Sequence, residues 1–165
     1  MPKRWIPVRY IPSSLTRHDK TMQRNMLTKS KALYKRQQYS TRKKVNSFHS
    51  KPSQHVKNAI RLYHLNTVLP SRKLSRATGC SVNALSRIVK KGEGAYYSSG
   101  SRPNQTAQSW GIARLASAIT GGKSAAVDFH ILEKGCQHNK TAYRLAKQSR
   151  KKYKYGQGHT RRVWI

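Results

Sequence analysis

Apolar side chains recur every three or four positions along most of the chain, which is the spacing of one face of an α-helix. The pattern is broken by glycine, proline and runs of polar residues, and a helix-capping serine follows several of the breaks. It predicts two short helices around Gly79 within residues 71–91, and further helices at 16–38, 53–65, 106–120, 124–134 and 139–152.

The first residues do not follow this pattern. Three prolines within residues 1–15 oppose a helix, while Trp5 and Tyr10 offer apolar anchors. We expect an extended segment here, either an arm that inserts into a neighbouring molecule or an edge strand. The prediction is therefore an all-α fold with a single helical domain at 16–152, between this N-terminal arm and a basic C-terminal tail at 153–165.

Charge is distributed unevenly along the chain. Thirty-five Lys and Arg residues face four Asp and Glu residues, a formal net charge of +31. Residues 92–133 nevertheless carry equal numbers of acids and bases, so this neutral block can pack without repulsion and is predicted to form the core of the domain. The surplus lies in the flanks, including a basic connector at 39–52, and implies an anionic partner: nucleic acid, a lipid headgroup surface or an acidic protein lattice.

Clusters of basic residues are the candidates for anion or nucleic-acid contact, because binding a polyphosphate requires several cations at once. Solubility alone is the alternative, but it needs far less net charge than this chain has. The candidate residues are Arg42, Lys43, Lys44, Arg72, Lys73, Arg87, Lys90, Lys91, Arg150, Lys151, Lys152, Arg161 and Arg162.

Aromatic residues divide into two predicted groups. In the extended and basic segments, they are expected to anchor the protein to neighbours in an assembly: Trp5, Tyr10, Phe48 and Trp164. In the nearly uncharged stretch "GEGAYYSSGSRPNQTAQSW", they are expected to form a core motif with one arginine: Tyr96, Tyr97, Arg102 and Trp110. Tyr96 and Tyr97 have an alternative role, in which they stack on the bases of a single strand.

The segment "RKLSRATGCSVNALSRIVKKG" fits the helix-turn-helix pattern. Gly79 stands at the turn, where a left-handed backbone is needed, and Ser81 can cap the second helix. Leu74 precedes the glycine, and apolar residues follow it at suitable positions. The second helix would then present Asn83, Ser86, Arg87 and Lys90 outwards. A plain helical hairpin in the core is the alternative.

Enzymatic and cofactor sites find little support in the sequence. The stretch "TGGKS" resembles the end of a phosphate-binding P-loop, but Ser117 stands where that motif requires its first glycine, and the preceding segment is helical rather than a strand. Four carboxylates leave little material for paired-acid catalysis. His130, Cys136 and His138 lack a second ligand pair at zinc spacing. We therefore expect neither an enzyme, a bound metal nor a cofactor.

The two cysteines, Cys80 and Cys136, are too few for a disulfide framework. They are expected to be reduced, buried thiols of a protein kept in a reducing compartment. No run of about 20 apolar residues predicts a transmembrane helix.

Two long stretches carry a resemblance to a known group. The first runs from "RYIPSSLTRHDK" to "NAIRLY", and the second is "IVKKGEGAYYSSGSRPNQTAQSWGIARLASAITGGKSAAVDFHILEKGC". Together they resemble a family of small basic proteins of uncharacterised function in large DNA viruses of algae and protists. The similarity extends from about Arg9 to about Lys152, and it transfers no catalytic residues.

The resemblance implies a virion component. The expected function is that of a minor capsid protein, which cements capsomers on the inner side of an icosahedral shell through its basic arms. Its partners would be the major capsid protein and other minor capsid proteins, with nucleic acid or the inner membrane surface as further contacts, and it would be made in the host cytoplasm. The alternative is a DNA-binding protein that condenses or packages the viral genome, using residues 72–91 as a helix-turn-helix.

Overall fold

A computed structural model describes residues 3–157 and 160–165. Within these residues the chain is mainly helical, as predicted, with eight α-helices and two short strands. In chain order the elements are β1 (Trp5–Pro7), α1 (Arg17–Lys35), α2 (Gln54–Tyr63), α3 (Arg72–Thr78), α4 (Val82–Ser98), α5 (Ala107–Ile119), α6 (Lys123–Val127), α7 (Phe129–Gly135), α8 (Thr141–Lys152) and β2 (Arg162–Trp164).

The described residues form two compact units. The first unit comprises residues 3–51, 93–110 and 160–165, and the second comprises residues 52–92 and 111–157. The sequence predicts one helical domain over residues 16–152, built around the neutral block 92–133. That block is instead divided, because its residues up to Trp110 belong to the first unit, apart from Gly92, and the rest belong to the second.

The second unit has a large aliphatic core. Ala59, Leu74, Ile88, Leu115 and Leu132 come from five different helices and are almost completely buried in one apolar cluster. Side-chain caps define where two of these helices begin. The hydroxyl oxygen of Ser53 accepts a hydrogen bond from the first turn of α2, as predicted, and that of Ser71 does the same for α3.

The first unit has a smaller apolar core, to which the N-terminal segment contributes. Ile6, Tyr10 and Ile11 are buried together with Leu27 and Val45. Strand β1 pairs antiparallel with β2, which places Trp5 opposite Trp164. A free N-terminal arm and a free C-terminal tail are therefore not confirmed, and the edge-strand alternative describes residues 5–7. Residues 158 and 159 of the predicted tail lie outside the described part.

Two helix boundaries differ from the prediction. The helix that begins at Val82 continues through two glycines to Ser98, well beyond the expected end at residue 91. Glycine has a packing role at Gly92, because a Cβ there would lie 2.6 Å from the Cα of Gly111. The single helix expected at 124–134 is two helices, since the backbone at Asp128 leaves the helical conformation between α6 and α7.

The cysteines are buried, as expected, but the prediction that they are reduced is wrong. Cys80 and Cys136 form a disulfide across 56 residues of sequence. The two residues also form an isolated antiparallel β-bridge, since the turn after α3 lies beside the end of α7. This long-range backbone pairing, which a short-range pattern does not reveal, brings the two thiols together.

Candidate nucleic-acid interface

Helix α3 is joined by a short turn, residues 79–81, to α4, of which the part up to Gly92 belongs to the second unit; we call this helix pair the helix-turn-helix. Gly79 has a φ of +78°, the left-handed conformation predicted for the turn, and its N–H donates to the carbonyl of Ser75. The hydroxyl oxygen of Ser81 accepts a hydrogen bond of 3.1 Å from the N–H of Ala84, so Ser81 caps α4 as expected. Helix α2 precedes the motif and packs against α3.

Burial divides α4 into two faces over its first three turns. Ala84, Leu85 and Ile88 are buried in the core of the second unit. Asn83, Arg87 and Lys90 are exposed, and their spacing of four and three residues places them on one side of the helix. Three of the four residues predicted to face outwards are therefore exposed, while Ser86 is half-buried.

Contacts from the end of α7 hold the turn of the motif in place. The N–H of Ser81 donates to the carbonyl of Gly135 at 2.8 Å, and the N–H of Gln137 donates to the carbonyl of Gly79 at 2.8 Å. The disulfide of Cys80 lies between these two bonds. The turn between α3 and α4 is thus joined to the end of α7 by a covalent bond and by hydrogen bonds.

The helix-turn-helix region is strongly basic. Residues 52–92 contain eight Lys and Arg residues and no Asp or Glu. Among these residues, all of which the structure describes, Lys91 alone forms a salt bridge with a carboxylate. Arg72 and Lys73 in α3 and Arg87 and Lys90 in α4 are exposed, so the helix pair brings together four of the predicted anion contacts.

An open cleft of about 450 Å³ lies beside the turn. Arg76 from α3 and Lys140 from the start of α8 line it, together with the polar groups of Ser75, Ser81 and Gln137. Neither cation was singled out from the sequence, because Arg76 is not adjacent to another basic residue and Lys140 is distant in the chain. The cleft extends the basic surface beyond the two helices of the motif.

Lys91 forms an ion pair within the second unit, whereas the sequence predicted that it would contact an anionic partner. Its Nζ lies 2.8 Å from Asp128, whose carboxylate is fully buried and also accepts two hydrogen bonds from Arg114 at 2.7 and 2.8 Å. Burial acts to raise the pKa of Asp128, but the hydrogen bonds from Arg114 and Lys91 outweigh it, and the pKa lies below its ordinary value.

Arg42, another predicted anion contact, instead forms hydrogen bonds within the first unit. Its guanidinium donates to the Ser30 hydroxyl, the Tyr96 carbonyl and the Ser101 hydroxyl at 2.8–2.9 Å. It also lies over the Tyr96 ring, 3.8 Å from the centroid. Burial lowers the pKa of Arg42. Its role is to hold the connector 39–52, while Lys43 is exposed beside it.

The remaining basic candidates are distributed over both units. In the first unit, Lys44 is exposed, and so are Arg161 and Arg162 at the start of β2. Arg150, Lys151 and Lys152 are exposed in the last turn of α8, in the second unit. The Arg150 guanidinium lies 4.6 Å from the centre of the Phe129 ring and 4.8 Å from that of Tyr155, so it packs on aromatic rings of its own chain.

The predicted assembly anchors divide by burial. Trp5 and Trp164 are 57% and 46% exposed, and their ring centres lie 5.1 Å apart on the terminal sheet. Tyr10 is buried against the edge of Trp110, and Phe48 is half-buried beside the same apolar cluster. Of these four predicted anchors, only the two tryptophans are therefore exposed.

The core motif also divides. Tyr96 is fully buried and its hydroxyl accepts a hydrogen bond from the N–H of Arg42, so base stacking by this ring is excluded. Tyr97 is half-buried, Trp110 packs on Tyr10, and Arg102 is exposed. Burial, together with the positive charge of Arg9, lowers the pKa of Arg102.

Sequence reasoning missed the residue that orders the connector most directly. The Asn104 side chain accepts from the N–H of Val45 and donates to the carbonyls of Val45 and Phe48. Asn104 has a φ of +62°, a conformation that asparagine tolerates better than most residues. The adjacent Arg102-Pro103 is a turn signal, but nothing local indicated a partner about 60 residues away.

Two of the three residues weighed for metal binding have other roles, and the third, His130, is exposed. Cys136 is in the disulfide, and the His138 ring stacks on Tyr143 at 3.9 Å between centroids. Nowhere in the described part of the chain do three or more His, Cys, Asp or Glu side chains come together as a possible metal site. Within residues 3–157 and 160–165, no helix combines the length and apolar character that crossing a bilayer requires.

Comparison with known proteins adds one finding. Residues 7–131 match a family of unknown function, DUF5824. The matched region includes both predicted helices of the helix-turn-helix and the connector. Neither the curated proteins nor the solved structures contain a significant match to the chain.

Proposed function

The chain belongs to the DUF5824 family of unknown function. We propose that the chain binds duplex DNA through the helix-turn-helix, with α4 in the major groove. The observation that carries the proposal is the division of α4 into a buried apolar face and an exposed face with Asn83, Arg87 and Lys90. A helix placed in this way on a basic surface has the geometry with which helix-turn-helix proteins enter the groove.

The exposed side chains have the chemistry that groove recognition requires. Arginine can form two hydrogen bonds with the edge of guanine, and asparagine can do so with adenine. From Asn83 to Lys90 the helix rises by about 10 Å, which corresponds to roughly three base-pair steps. Asn83 and Arg87 would therefore contact base edges, and Lys90 the backbone or a base further along.

The surrounding cations would contact the phosphates. Arg72, Lys73 and Arg76 lie in α3, the helix that crosses the DNA backbone in such complexes, and Lys140 lines the same cleft as Arg76. No carboxylate in residues 52–92 would repel the DNA. Such contacts bind without reading the sequence, and they make the affinity fall steeply with salt.

Fluorescence anisotropy with a labelled 20-base-pair duplex tests the proposal. Arg87→Ala is expected to weaken binding about ten-fold, since a bidentate base contact contributes about 1–3 kcal/mol. Arg61→Ala is the matched control, because Arg61 is an exposed arginine in α2 outside the motif. Equal affinities of the two variants, or no duplex binding at low salt, would exclude the proposed groove contact.

A second candidate is the virion structural protein that the family resemblance implies, namely a minor capsid protein inside an icosahedral shell. The exposed pair of Trp5 and Trp164 favours it, because aromatic residues are the usual anchors of protein interfaces. Cross-linking of purified particles should join Lys3, next to this pair, to the major capsid protein. Absence of the protein from purified particles would refute this candidate.

A further inference from the structure

Three tyrosine rings form a row on the first unit, and we call Tyr34, Tyr39 and Tyr97 the tyrosine patch. The ring centres of Tyr34 and Tyr39 are 6.0 Å apart, and those of Tyr39 and Tyr97 are 5.1 Å apart. The rings are inclined at 64° and 55°, so neighbouring rings do not lie face to face. Tyr39 is 63% exposed, the highest value among the exposed large apolar and aromatic side chains of the described residues.

The fold holds the central ring in place although it lies in no helix or strand. Helix α1 ends at Lys35, and Gln37 adopts a φ of +59°, which turns the chain back. The N–H of Gln37 donates to the carbonyl of Tyr34, and the N–H of Gln38 to that of Leu33. The segment after α1 is thereby folded back onto the end of the helix.

On its other side the segment is held by Arg42. The buried hydrogen bonds of this side chain to Ser30 and Ser101 connect the connector to α1 and to the loop after α4. The Ser30 hydroxyl in turn donates to the carbonyl of Tyr97. Tyr39 is therefore positioned between two fixed points, and its ring is an ordered exposed surface rather than the tip of a free loop.

Cations predominate around Tyr34 and Tyr39, whereas Tyr97 also has an acid nearby: burial chiefly raises the pKa of Tyr97, and the negative charge of Glu93 contributes. Residues 29–44 contain seven Lys and Arg residues and no Asp or Glu. Lys35, Arg36, Lys43 and Lys44 are exposed on both sides of Tyr39 in the sequence. Burial and repulsion from Arg4 and Lys35 lower the pKa of Lys31, which indicates that the positive charges are crowded here.

We propose that the tyrosine patch binds single-stranded nucleic acid, with bases stacked on Tyr39 and its neighbours and phosphates on Lys35, Arg36, Lys43 and Lys44. Exposed aromatic rings along a basic surface are how proteins bind single strands without reading their sequence. A duplex keeps its base faces stacked on one another, and an acidic protein surface would be held by the cations alone, so neither requires a row of exposed tyrosines. The site lies in the first unit and does not depend on the helix-turn-helix.

Anisotropy with three labelled probes tests this proposal on the full chain: a 20-nucleotide oligo(dT), an abasic strand of the same length, and the 20-base-pair duplex. Tyr39→Ala is expected to weaken oligo(dT) binding about ten-fold, since stacking is a major part of single-strand affinity. Binding of the abasic strand and of the duplex should not change. Tyr39→Phe should bind as the wild type does, because the ring is retained.

Two further variants separate stacking from charge and from general effects. Tyr155→Ala removes a ring that is 62% exposed in the second unit and should leave oligo(dT) binding unchanged. The double variant Lys43→Ala with Lys44→Ala should weaken the binding of both single strands. It should also reduce the slope of log affinity against log salt concentration by about 1.4. The proposal would be overturned if the wild type bound oligo(dT) no more tightly than it bound the abasic strand. It would also be overturned if Tyr39→Ala and Tyr155→Ala weakened oligo(dT) binding equally. Arg87→Ala, which affects the duplex alone, shows separately whether the helix-turn-helix proposal fails.

Discussion

The second unit buries twenty-two apolar side chains in one cluster, whereas the corresponding cluster of the first unit contains six among the described residues. The first unit instead relies on buried polar groups. The Gln23 amide donates to the carbonyl of Tyr10, and Asp19 accepts from both the N–H and the hydroxyl of Ser47, which lowers the pKa of Asp19. Arg42 and Asn104 complete this polar framework.

The difference shows two ways to order a chain with a large positive charge. Apolar packing is non-directional and tolerates exchange of similar side chains, whereas a hydrogen-bond network depends on particular atoms. The first unit should therefore be sensitive to single polar substitutions, and the second to changes in its disulfide and in the ion pairs of the buried Asp128. All three tryptophans, Trp5, Trp110 and Trp164, lie in the first unit, so tryptophan fluorescence reports on that unit alone.

The largest expected effect concerns the disulfide of the second unit. Cys80→Ser should reduce the free energy of unfolding by about 4 kcal/mol, because the bond closes a loop of 56 residues in the unfolded chain. Urea unfolding followed by circular dichroism at 222 nm measures it. The double variant with Cys136→Ser and the wild type in reducing agent should match the single variant. An unchanged midpoint on reduction would contradict the role of the bond.

The second largest effect is expected in the first unit. Arg42→Ala should destabilise it by about 3 kcal/mol, since the carbonyl of Tyr96 and the hydroxyls of Ser30 and Ser101 lose a charged donor. Arg42→Lys should restore little of the lost stability, because a lysine cannot reproduce the planar stacking and the three directional hydrogen bonds. Urea unfolding followed by tryptophan fluorescence measures both variants.

Lys43→Ala is the matched control for Arg42. It removes an exposed charge from the adjacent residue and should change stability by less than about 0.5 kcal/mol. If the Arg42 and Lys43 variants shift the fluorescence transition equally, the polar framework does not stabilise the first unit, and the contrast between the units is lost.

The smallest of the three effects concerns the ion pairs of the second unit. Asp128→Asn should cost about 2 kcal/mol at neutral pH, less than a fully buried pair, because Lys91 and Arg114 remain partly exposed and can be hydrated. The folded-state pKa of Asp128 is lowered, so its contribution is present above the ordinary aspartate pKa and is lost as the pH falls through the folded value.

Thermal unfolding by circular dichroism between pH 7 and pH 2 measures this contribution. The wild type should lose more stability on acidification than Asp128→Asn, which has no proton to take up at that position. Glu133→Gln, at an exposed carboxylate of α7, should follow the wild type. Parallel pH curves for the wild type and the Asp128 variant would show that the pair does not contribute.

Local patterns in the sequence determined most of the helices. The predicted capping serines Ser53 and Ser81 and the turn glycine Gly79 act within four residues of their partners, and the structure confirms these features. The helix-turn-helix was foreseeable for the same reason. Its apolar spacing and its turn are encoded in a single stretch of about 20 residues, which also specified the exposed Asn83, Arg87 and Lys90. The cap expected from Ser124 is wrong, because α6 begins at Lys123 and has no side-chain cap.

Other features depend on contacts between residues far apart in the chain, and only the tertiary structure decided them. The disulfide, the pairing of β1 with β2 and the use of Arg42 inside the first unit each join segments more than 50 residues apart. A basic residue looks the same in the sequence whether it binds phosphate or a buried carbonyl. Burial and the positions of distant partners decide between these roles, and they arise only when the whole chain has folded.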